Sequence, residues 1–354
     1  MRCFVAALLC GPTLAAATIT TLDGQTREQD LSPAVLATLP LTDLDRIVLG
    51  AEQPVKAGPG VWLADGSWLP YTRLAADGKD RLRIDGPLGT CSVPLAQVRG
   101  WGPTDPPAGE HDRLVLGGGP VEGQVTGLSA EGILSFRTTL DPEPVPVPIT
   151  DISAAVIRVA AVAPAMPALL ATLADDRPPV RLKVLPTGLA LAIGGSIVTP
   201  PPTTLIVDGP RRQWLSTLTP SSVREDGAFG VVWPWKRDTD LDGGPLRLGG
   251  HRYASGVSVH SAAVLTWTLG GTVTRLRGLI GIADLVAPEG DADVTLTGDG
   301  RELWREKRLR GGEPPRTLDL DLTGVTSLTL TIGLGERYDI GDHVTLADAY
   351  LVHR

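Results

Sequence analysis

Apolar and polar residues alternate with a period of two over many short stretches of this chain. Gly, Asp-Gly or Pro interrupts them before a helical period can establish itself. This pattern predicts half-buried antiparallel strands joined by tight turns. In the second half, the strands are expected over 263–269, 273–282, 293–298, 302–307, 316–322, 327–334 and 343–352. In the first half the same alternation runs into a Gly turn at Ile19–Gly24, Val61–Gly66 and Leu114–Gly118. One short helix is expected over 167–174, ahead of a polar break at 175–179. The Pro200-Pro201-Pro202 run rules out a central strand at that point.

The first half also repeats itself. Pro40-Leu41-Thr42-Asp43 returns as Pro94-Leu95-Ala96-Gln97 and as Pro148-Ile149-Thr150-Asp151, at a constant spacing of 54 residues. Fixed-period self-similarity signals repeated supersecondary units. Each unit reads as four or five short strands, a small β-barrel or meander. The expected organisation is two units over 18–105, a third over 106–160, a linker with a short β segment over 161–208, and a sandwich over 209–354. The units resemble the small Sm-like or SH3-like β units that precede sugar-binding modules in secreted bacterial proteins. They read as a spacer or as a binding platform.

Composition narrows the classes of function. The chain has 354 residues and is 42% hydrophobic, enough for real cores, while its 42 Gly and 31 Pro suit a turn-rich all-β protein. A net charge of −8 argues against a general nucleic-acid binder. Trp accounts for 8 residues against 4 Tyr and 3 Phe; Trp stacks on apolar sugar faces and also fills cores.

The N-terminus reads as a secretory leader. Met1-Arg2 precedes an apolar run, and Ala15-Ala16-Ala17 supplies the small residues for cleavage after Ala17. The expected location is therefore secreted or periplasmic. No later run reaches the length of a membrane span. Cleavage would leave Cys91 alone, in a strand-like context that suits a small core residue.

From about Trp214 the chain carries an ordered series of motifs. These are Gly256-Val257-Ser258-Val259-His260-Ser261, Gly281-Ile282, Asp299-Gly300-Arg301-Glu302-Leu303, Leu318-Asp319-Leu320 and Asp342-His343 followed by Asp348-Ala349. The series resembles the NPCBM family of carbohydrate-binding modules, also found attached to glycoside hydrolases including those of family 98. The resemblance implies a galactose-binding-like jelly-roll sandwich and sugar binding. Where the family's closing stretch has an Asp and a Trp, this chain has Thr345 and Leu346.

His260, Asp342 and His343 are carried over from that resemblance as candidate glycan contacts. Trp235 and Tyr338 are the candidate stacking platforms, since both lie in turn-rich stretches, whereas Trp267 and Trp304 alternate with polar neighbours and read as core. Asp238-Thr239-Asp240-Leu241-Asp242-Gly243 opens like a calcium loop, but its twelfth position is Gly249 where the loop needs Glu, leaving only a looser structural calcium site on Asp238, Asp240 and Asp242. G-x-S-x-G, H-E-x-x-H and P-loop patterns are absent from the sequence. The leading expectation is a secreted, non-catalytic glycan-binding protein without a cofactor. An envelope scaffold whose module has lost its sugar is the alternative that Thr345 and Leu346 favour. A glycosidase is the third reading. The oligomeric state is not legible.

Overall fold

A computed structural model describes residues 16–50, 58–106, 110–141, 143–163, 166–173, 177–227 and 230–354. The expected leader lies outside the described residues as far as residue 15; Ala16 opens the first strand, and Ala17 is buried. The chain is nearly all β, as its alternation predicts, and divides into two compact units that meet in sequence at Gly209 and Pro210. Among the described residues no helix is long and apolar enough to cross a membrane.

In the first unit Pro40, Pro94 and Pro148 take equivalent places. Each precedes a single 3-10 turn, Leu41–Asp43, Leu95–Gln97 or Ile149–Asp151, and a strand follows each turn. Proline's fixed φ suits the entry to such a turn, where its missing N–H is not needed.

The segments do not stand as separate beads, however. Leu44–Val48 pairs with Thr204–Asp208, so one seven-stranded sheet joins the start of the unit to its end. Asp112–Leu116 and Val98–Gly102 both pair with Ala154–Val156 in a second, eight-stranded sheet. One continuous core runs from Ala17 to Val207 and includes Trp62, Trp68 and Trp101. A unit of about 50 residues buries too little surface to stand alone, and pooling several into one core answers that shortage.

The stretch expected to be a linker is part of this core. Residues 168–171, expected to be helical, form the strand Ala168–Ala171 with all four side chains buried. It pairs with Val180–Leu185 on one side and Thr204–Asp208 on the other. Burial on both faces hides the period-2 signal, and sheet pairing overrides local helix propensity. Leu169→Ala should therefore lower the stability of the first unit by about 3 kcal/mol, read as a shift of its melting transition alone. Cys91 is buried there too, and burial pushes its thiol up to about 11, as befits an inert core residue.

The second unit is a sandwich of two antiparallel sheets. One sheet runs Lys236–Arg237, Gly256–His260, His343–His353, Val273–Ile282 and Arg316–Asp321, with Arg212–Trp214 against the far end of His343–His353. The other runs Ser222–Glu225, Ala263–Thr268, Ser327–Gly333, Asp291–Gly298 and Arg301–Arg310. Apart from the hairpin of Asp291–Gly298 with Arg301–Arg310, successive long strands switch sheets, giving a jelly-roll connectivity. Val257, Val259, Leu265, Trp267, Leu276, Ile280, Leu296, Leu330, Val344 and Leu346 fill the space between the sheets. Trp304 is half-buried against the same core.

Candidate functional site

Pleating sets the site. On Gly256–His260 and His343–His353, Val257, Val259, Val344 and Leu346 turn inward to the core. Their alternates Ser258, His260, His343 and Thr345 turn to the opposite face. Register places His260 directly across from His343, and Ser258 across from Thr345. Both His residues stand at strand ends, beside the end of Val273–Ile282 at Ile282.

Part of this outer face is covered by the segment 238–250, which buries Leu241, Leu246 and Leu248. Gly281 permits the close approach: a Cβ there would lie 2.7 Å from the Leu248 side chain. Ser258 Oγ donates to the Thr239 carbonyl at 2.9 Å, tying the segment to the sheet.

Where the cover stops, three rings meet. Trp233 stacks on His260 with centroids 5.9 Å apart and planes 21° from parallel. It lies 5.6 Å from His343, and the two imidazoles are 5.4 Å apart, edge to face. His260 and His343 are buried, whereas Trp233 is 38% exposed. An exposed indole braced from below by fixed rings is a surface on which an apolar sugar face can stack.

Of the two aromatic platforms expected from sequence, neither occupies this position. Trp235 is half-buried against the sandwich core, its backbone N–H donates to Glu225 Oε1 at 2.6 Å, and the Arg237 guanidinium lies 5.0 Å over its ring. Tyr338 is 62% exposed on the loop that leads to Asp342. Trp233 is the residue that sequence reasoning missed. It lies two positions from Trp235 in the same turn-rich stretch, and nothing local separates a ring that docks on the core from one that stays outside.

Asp342 is also placed differently from the expectation. It is 1% exposed. Its Oδ2 accepts the Ser261 hydroxyl at 2.7 Å and its Oδ1 accepts the Asp291 amide at 2.8 Å. Burial pushes its pKa up; the Asp291 amide and the Ser261 hydroxyl pull against that, and the neighbouring Asp291 charge adds to it. A carboxylate so occupied anchors loops and has no oxygen turned to a sugar.

His343 carries the clearest unspent chemistry: its buried Nδ1 has no hydrogen-bond partner. Burial holds its pKa below the ordinary value and the His260 charge lowers it further, while Asp242 and Asp240 oppose the shift. His260 Nδ1 faces the Ser261 carbonyl at 2.5 Å. A carbonyl only accepts, which assigns the proton to that nitrogen.

The expected calcium ligands do not converge. Asp238 Oδ1 accepts the Gly256 amide at 3.0 Å; Asp240 Oδ1 accepts the amides of Asp242 at 3.0 Å and Gly244 at 2.6 Å. These carboxylates shape turns, and among the described residues no three His, Cys, Asp or Glu side chains gather as a metal site.

Thr345 and Leu346, where the chain departs from the family's closing stretch, are both buried. Leu346 lies in the core and Thr345 meets Ser258 at 3.4 Å beneath the covering segment. The departures alter packing and leave the exposed rim untouched.

A curated protein of Renibacterium salmoninarum, bearing the name of an endo-alpha-N-acetylgalactosaminidase, is 29% identical over 126 residues, 34% of this chain; the chain spans 8% of that relative's length. Among solved structures, the CBM51 from a Clostridium perfringens GH95 in complex with methyl-galactose is 18% identical. That match covers 40% of this chain and 99% of that one at a TM-score of 0.37. Tandem CBM51 modules of a Streptococcus pneumoniae family 98 glycoside hydrolase are 11% identical over 95% of this chain and 88% of theirs, at a TM-score of 0.36. The sandwich that carries Trp233, His260 and His343 is matched by the NPCBM/NEW2 domain family over residues 211–352, and this part of the chain is an NPCBM/NEW2 domain.

Proposed function

We propose that the sandwich binds a glycan at its Trp233 rim, that the protein catalyses no reaction, and that it works outside the cytoplasm, as the leader-like residues 1–17 suggest. The observation that carries the reading is the exposed Trp233 ring braced on the buried His260–His343 pair, within a domain of a carbohydrate-binding family. Stacking would supply contact area, and a few hydrogen bonds would supply selectivity.

Two further observations favour binding without catalysis. Glycoside cleavage needs a carboxylic acid and a carboxylate facing the scissile bond. Asp342, Asp291 and Asp240, buried carboxylates at this end of the sandwich, accept backbone amides, and Asp342 a hydroxyl as well. The scaffold reading loses its sequence support as well, because Thr345 and Leu346 are not surface positions.

The test is a glycan-array screen of the full chain. Reproducible binding to one glycan class, competed by the free sugar, is expected. A blank array from folded protein would overturn the reading and return the scaffold to first place.

A further inference from the structure

Among the described residues, the Trp233 ring contacts those of His260 and His343. Among the described residues the stretch 230–235 forms no strand, and its hydrogen bonds are a Gly230–Gly227 turn and the Trp235 amide on Glu225. The indole rests on two imidazoles, one of which, His343, is buried with an unpartnered Nδ1. A neutral imidazole tolerates that position. An imidazolium there would have a buried N–H without an acceptor, and such a group costs far more buried than in water.

We propose that His343 is a proton-operated latch beneath Trp233: with His343 neutral the indole lies on the His pair and offers its outer face, and protonation of His343 lifts the indole and releases a bound sugar. The release step rests on the reading of Trp233 as the glycan platform.

The surroundings support a latch that opens in acid. From its own strand His343 is flanked by Asp342, whose oxygens are taken by Ser261 and by Asp291 of the neighbouring sheet. Across the pair stands His260, whose charge would oppose a second proton. From the 238–244 segment Asp240 and Asp242 attract a proton, but Asp240 already holds two amides. Asp284, on the adjoining turn, is occupied by the Gly249 and Gly250 amides, and Glu225 by that of Trp235. Asp242 and water are left to receive the new donor, and in the proposed open form the indole has moved aside to let one of them reach it.

Burial and His260 keep His343 unprotonated in the closed form, so protons bind the open form preferentially. Below the ordinary His pKa of about 6.5 the closed-to-open ratio should fall by up to about tenfold per pH unit. Glycan affinity should fall between pH 7 and pH 5, by at most about twenty-five-fold.

The test follows Trp233 in the full chain by acrylamide quenching and by its indole N–H resonance, each identified as the signal lost in Trp233→Phe. The expected result is greater quenching at pH 5 than at pH 7, with the indole resonance moving at the same midpoint as the His343 ring protons. His343→Gln should abolish the pH response and His260→Gln should retain it. An indole unmoved between pH 7 and pH 5, or one that titrates with the carboxylates, overturns the latch. If His343→Gln does not fold, the wild-type co-titration decides. A failed glycan array overturns the platform reading and the release step with it, and leaves the opening step to be judged on quenching alone.

Discussion

Trp233→Ala should weaken glycan binding by about thirtyfold while leaving the melting temperature nearly unchanged. The indole is exposed on one face, and stacking a sugar on it removes on the order of 80 Å² of apolar surface, worth about 2 kcal/mol, which is close to thirtyfold. Folding loses little, because the ring sits outside the core and the His pair beneath it regains water when it is removed. Trp235→Ala should show the reverse. Its ring packs on the core, so truncation should cost about 2 kcal/mol of stability, with binding reduced only through the damaged stretch. Isothermal titration against the array's best sugar and thermal melts of both variants separate the roles. Equal loss of binding in both variants, or loss confined to Trp235→Ala, would place the platform elsewhere.

Asp342→Ala should be the most destabilising polar substitution in the sandwich, by about 3 kcal/mol or on the order of 10 °C in its melting transition. Removing the carboxylate leaves the Asp291 amide and the Ser261 hydroxyl without partners in the interior, and leaves a cavity. Asp342→Asn should cost about 1 kcal/mol or less, since its carbonyl can still accept the Asp291 amide and its NH2 can meet a reversed Ser261 hydroxyl. The pH dependence carries a sign. Burial raises Asp342 above its unfolded value, so the native state binds the proton first. Asp342 therefore adds stability as pH falls through its raised pKa toward the ordinary carboxylate value, and withdraws it as pH rises. Asp299, Asp319 and Asp321 are held low and act in the opposite direction, losing their contribution as pH falls. Asp342→Asn should remove the first of these effects and leave the second, readable in melting temperatures between pH 7 and pH 4.

The unequal legibility of the two units has a physical basis. In sandwich strands such as Ala263–Thr268, Asp291–Gly298 and Ser327–Gly333 buried positions alternate with more open ones, so alternation survives in the sequence: the expected 327–334 runs one residue past the observed Ser327–Gly333. In the first unit Ala168–Ala171 is buried on both faces and carries no alternation to read. The 54-residue spacing, read as a repeat of small β units, coincides with three 3-10 turns, yet it is silent on pairing, because a strand's partner depends on long-range closure. Leu44–Val48 finds Thr204–Asp208 about 160 residues away.

By itself the sequence determined the all-β class, most strand positions of the C-terminal sandwich, the recurrence of one segment at Pro40, Pro94 and Pro148, and the core places of Cys91 and Trp267. All are local matters of period, turn chemistry and apolarity. Only the tertiary structure decided the site. Register set His260 against His343 across 83 residues of chain. Packing sent Trp235 inward and left Trp233 on the rim. Hydrogen bonding turned Asp342, Asp238 and Asp240 from candidate ligands into anchors of backbone amides. A side chain's type declares what it can bond, but which of its atoms remain free is settled only when every neighbour is in place.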